Sequence, residues 1–151
     1  MNSLLTLLHV LGVVVWVGGM FFAWMALRPV AASVLEPPQR LTLWLGVFGK
    51  FFPWVWLSVL LILASGLHMF MKFGGLGAPH YVLTMFVLGV VMMLIFAHVF
   101  FAPTRKLQRA VAAQDWKAGG AALAQIRQLI GINLIIGLVT IAVVFAGRAL
   151  G

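Results

Sequence analysis

The chain has 151 residues, 64% of them hydrophobic and only 8% charged, with two acids against ten lysines and arginines. So few charges cannot solvate a water-soluble domain of this size, and the class they specify is an α-helical membrane protein. The absence of cysteine excludes disulfides, thiolate metal ligands and iron–sulfur clusters, and the +8 charge is not a nucleic-acid signal because its cations are concentrated in alternate loops.

The first apolar stretch covers about residues 4–27, and roughly 20 apolar residues suffice to cross ~30 Å of hydrocarbon. Val30-Ala31-Ala32 faintly suggests a cleavage site. No cation precedes Arg28, however, and the apolar run exceeds that of a signal peptide, so a retained helix is expected, ending near Arg28-Pro29. His9, Gly12, Trp16 and Gly19 fall on one stripe of it. Glu36-Pro37-Pro38 is a break. Leu41, Leu45, Phe48 and Phe52 then have helical spacing, an amphipathic segment bent at Pro53 on its way into a second span over 51–71. Ser58, Leu61, Ser65 and His68 make the corresponding stripe there.

A glycine-rich turn at 74–79 leads into a third span over 81–101, which ends with His98. The connection 104–128 is the most polar part of the chain. Leu107 and Val111 among Arg105, Lys106 and Arg109 suggest a helix extension along the membrane surface, interrupted by Gly119-Gly120. Its cations read as a topology signal and an anchor for anionic lipid. The last span covers 129–146, where Asn133, Gly137 and Thr140 suggest interhelical hydrogen bonding. The expected architecture is all-α, one domain over 1–151, a polytopic four-helix bundle. Arg28, Arg40, Lys50, Arg105, Lys106, Arg109, Lys117 and Arg127 lie in the first and third connections, against Lys72 and Arg148 on the other side. By the positive-inside rule both termini belong on the periplasmic side of a bacterial inner membrane.

Ionisable side chains inside a bilayer are costly and point to function. His9 and His68 are expected at one depth, each roughly 5–8 Å below the outer boundary, with His98 roughly 20 Å away. Two facing imidazoles suit six-coordinate haem b, with Gly12, Trp16 and Ser65 against the macrocycle and Lys72 or Arg148 in reach of its propionates. His98 is a candidate ligand of a second site. The alternative metal is copper, taken up by His9, His68 and His80 with Met69, Met71 and Met85, since imidazole and thioether suit Cu(I). Glu36 and Asp115 both lie in loops, so no acid–base pair supports a hydrolase.

The pattern His9-x6-Trp16-x-Gly18-Gly19 resembles the copper-resistance D (CopD-like) membrane domain family and the related HemJ-like membrane protoporphyrinogen oxidases. The resemblance takes in the Pro53 region, the stretches Met85-Phe86 and Phe96-Ala97-His98, and the helix containing Gly137. It implies a four-helix inner-membrane bundle with a haem b site and, in the oxidase branch, oxidation of a porphyrinogen. Thr84 stands where that branch carries a lysine, and Arg28-Pro29-Val30 where it carries a further histidine. Both departures weigh against the oxidase. The leading expectation is thus haem b between helices 1 and 2 in electron transfer. Copper uptake, porphyrinogen oxidation and a structural subunit are the alternatives. The partners it admits are the lipid bilayer, a second copy of the chain, and a quinol or redox protein; nucleic acid is not among them.

Overall fold

A computed structural model describes residues 3–151, and all regular structure among the described residues is helical. Four helical stretches are long and apolar enough to cross a bilayer: Ser3–Val34, Pro37–Lys72, His80–Ala112 and Trp116–Leu150. Large apolar side chains face outward along them, with Leu60, Leu94, Ile135 and Phe145 all more than 60% exposed. Such a surface is unsustainable in water and is what a lipid environment requires.

The first stretch does not end at Arg28-Pro29. Helix α1 (Ser3–Phe22) passes through a π-helical turn (Ala23–Leu27) into α2 (Arg28–Val34). In that turn the Arg28 N–H donates to the Ala23 carbonyl, five residues back. The same register would pair the Trp24 carbonyl with the nitrogen of Pro29, which has no hydrogen. The Arg28 side chain supplies the missing donor: Nε reaches the Trp24 carbonyl at 3.2 Å, and the guanidinium lies 4.4 Å over the Trp24 ring. A proline expected to stop the helix is accommodated by its neighbour.

Helix α3 (Pro37–Lys72) is one 36-residue helix that continues through Pro53, so the amphipathic segment and the second span are a single element. Proline at its start needs no N–H partner. At ~1.5 Å per residue α3 is about 54 Å long, well beyond ~30 Å of hydrocarbon. After a 3-10 turn at Gly75–Gly77 come α4 (His80–Phe101), α5 (Pro103–Ala112) and α6 (Trp116–Leu150). Gln114 closes α5 in the left-handed conformation, at φ 56. The Asp115 N–H then reaches back to the Ala110 carbonyl, a Schellman-type ending. The Asp115 side chain accepts from the Ala118 N–H at 3.1 Å and starts α6. Gly119-Gly120 therefore lie inside α6 and do not break the chain. A Cβ at Gly119 would stand 2.9 Å from Leu41, so this glycine lets α3 approach.

The termini and the 3-10 turn share one end of the bundle, and the cationic connections share the other. Leu41, Leu107 and Ile126 at the basic end are 1%, 0% and 0% exposed. They belong to one cluster with an aromatic chain, in which Phe48 stacks on Phe52 at 4.8 Å and Phe52 meets Phe96 edge-on at 5.3 Å. Deeper in the bundle, Asn133 Nδ2 donates to the Met92 carbonyl at 3.2 Å, the interhelical bond expected of it. Thr140 instead bonds the Ile136 carbonyl of its own helix at 2.7 Å.

Candidate functional site

The helix 1 stripe is buried at Gly12 and Trp16 and half-buried at His9 and Gly19, and what it meets is protein. His9 is half-buried near the termini end of α1. A Cβ at Gly12 would lie 2.9 Å from Ile62 Cγ1 and 3.2 Å from the Ser58 carbonyl oxygen. Trp16 is 3% exposed and meets Phe96 edge-on at 6.1 Å. The Phe51 ring fills the place of a side chain at Gly19. The small residues thus bring α1 and α3 into contact.

His9 Nδ1 lies 3.0 Å from Ser65 Oγ. The serine, 1% exposed, donates its proton to the Leu61 carbonyl at 2.5 Å, the common back-bond of a helical serine. With its only hydrogen so used, Oγ accepts from His9 when Nδ1 carries the proton, and the Ile62 carbonyl is a second acceptor beside the ring. In that tautomer Nε2 keeps its lone pair. A histidine anchored through one ring nitrogen to a fixed acceptor, with the other nitrogen open, has the arrangement of metal-ligating imidazoles. Gly66 lies at the edge of the ring, where a Cβ would stand 3.5 Å from Cε1.

His68 does not join this pair. It is exposed on α3, and the reason is helical phase. From buried Ser65, three residues turn the helix by roughly 300° and four by roughly 400°, so His68 falls about 60° to one side of it and Met69 about 40° to the other. Met69, four residues beyond Ser65 and half-buried, occupies the position expected of His68. Counting at fixed depth found the right turn of the helix and the wrong side of it.

The other expected residues lie apart. Lys72 and Arg148 are exposed at the termini end, and His80 is exposed at the first residue of α4. Thr84 bonds the His80 carbonyl at 2.9 Å. His98 is exposed in the last turn of α4, at the opposite end of the bundle from His9. Among the described residues no three His, Cys, Asp or Glu side chains converge as a metal site. A haem held between α1 and α3 does not fit the residues as packed, because Ile62 and the Ser58 carbonyl fill the space over Gly12 and His68 faces away.

A sequence model of the family described as "Copper resistance protein D" matches residues 45–146. No curated protein and no solved structure matches the chain.

Proposed function

The chain belongs to the copper resistance protein D family, and from that premise we propose a copper-handling protein of the bacterial inner membrane. Copper is its cargo, received by His9 on the periplasmic side. The observation that carries this reading is the His9–Ser65 hydrogen bond, which in the Nδ1–H tautomer offers Nε2 as a donor inside an apolar bundle. Met69, on the same face of α3 one turn from Ser65, offers the thioether that Cu(I) favours beside imidazole. The excess of cations at the other end of the bundle supports the orientation.

A Cu(I) competition titration of detergent-purified protein tests it. Wild type and His68→Ala bind alike, while His9→Ala and Met69→Ala lose at least about tenfold in affinity. Unchanged affinity in His9→Ala would overturn the reading.

Haem b in electron transfer, fed by a quinol or a redox protein, is the second reading, favoured by the same open Nε2. His9, and not His68, would hold the haem, and the iron would supply the electron transfer. A reduced b-type α-band that His9→Ala abolishes and His68→Ala preserves would move it ahead of copper. A featureless spectrum removes it.

A further inference from the structure

A groove of about 920 Å³ lies along α3 at the basic end, with Trp116 at the start of α6 among its walls. Its α3 lining is largely apolar, with Leu43 and Val47 beside Thr42 and Gly46, Lys50 as the charged group, and Phe51 and Trp54 beyond it. Lys50 stands 22 residues before Lys72 on the same helix, about 33 Å away at ~1.5 Å per residue, which matches ~30 Å of hydrocarbon. With Lys72 at one boundary, Lys50 marks the other, and Trp54 lies one turn inside it.

Helical side chains lean toward the helix N-terminus, here the basic end, so the Lys50 ammonium is carried outward toward the level of Gly46. A Cβ at Gly46 would meet nothing within 4 Å, so the space above that backbone is clear. The chain has only two acids. Glu36 stands fourteen residues before Lys50, about 21 Å along the axis, and the Asp115 carboxylate is engaged in capping α6. Among the described residues no carboxylate forms an ion pair with Lys50, and the cations clustered at this end raise the local potential further.

We propose that this groove holds an anionic phospholipid of the leaflet at the basic end. Its phosphate sits on Lys50 over Gly46, its headgroup faces Gln39 and Thr42, and an acyl chain runs along Phe51 and Trp54. Charge complementarity at Lys50, set in a largely apolar lining, selects this occupant over a neutral apolar one. The inference is independent of copper binding at His9.

Native mass spectrometry of the full chain, delipidated and titrated with phosphatidylglycerol or phosphatidylcholine, tests it. Wild type takes up phosphatidylglycerol in preference. Lys50→Gln weakens that uptake about fivefold, the share of one interfacial lysine, and largely removes the preference. Gly46→Leu fills the groove and abolishes uptake. Leucine is the better helix former and the space is open, so its unfolding midpoint does not fall. Gly49→Leu, also into open space but outside the lining, behaves as wild type. Undiminished uptake by Gly46→Leu, or equal uptake of both lipids by wild type, overturns the proposal. So does finding that Gly46→Leu displaces a co-purified quinone, or dissociates a dimer, while phosphatidylglycerol uptake is unchanged.

Discussion

At the basic end, Leu41, Leu107 and Ile126 are sealed from the surroundings, whereas at the termini end α1 and α3 meet through a hydrogen bond from His9 to Ser65 and a glycine contact at Gly12. The difference follows the solvent. Helices α3 and α6, at 36 and 35 residues, overrun the hydrocarbon, and their surplus turns meet α5 where water is present. There, apolar burial drives association. Inside the bilayer, lipid is as apolar as leucine, so close approach and polar contacts hold the helices instead. The nitrogen proposed to receive copper lies in the second region, where His9 is already organised by a hydrogen bond.

Five substitutions would break or sharpen this contrast. Leu107→Ala leaves a cavity in the sealed cluster and should cost about 2–5 kcal/mol of stability in reversible unfolding from mixed micelles. Leu60→Ala, facing lipid at 62% exposure, should stay within about 0.5 kcal/mol; equal losses would erase the distinction between the two regions. At the other end, Ser65→Ala removes the acceptor that orients His9. It should lower Cu(I) affinity about 10–100-fold by competition titration while moving the unfolding midpoint far less than Leu107→Ala does. Arg28→Ala leaves the Trp24 carbonyl without its substitute donor and removes the ring contact, a loss of about 1–2 kcal/mol measurable by thermal unfolding. The smallest effect is a gain: Gln114→Gly relieves a left-handed residue at the end of α5 and should stabilise by about 1 kcal/mol in the same assay.

Much of the fold was legible in the residues. The four spans, the buried stripe of His9, Gly12, Trp16 and Gly19, and the Asn133 bond to its neighbour all followed from length and helical spacing, which are local properties. The misreadings have different causes. Pro29 was read as a breaker, yet its own neighbour Arg28 supplies the missing donor within the same helix. Gly119 was read as an interruption, yet it lies where Leu41 of α3 comes close. His68 was paired with His9 by depth, while the phase of α3 gave the inward place to Met69. Depth is set by counting residues; facing is set by how two helices rotate against each other.

By itself the sequence determined that this chain is a multi-pass helical membrane protein with its cations gathered at one end, because hydropathy and charge act on each segment independently of the rest. Only the tertiary structure decided that His9 answers Ser65, that His68 looks outward, and that the deepest core lies at the basic end. Those outcomes depend on which helix faces meet, and a rotation of a fraction of a turn, invisible in the spacing of any one segment, settles them.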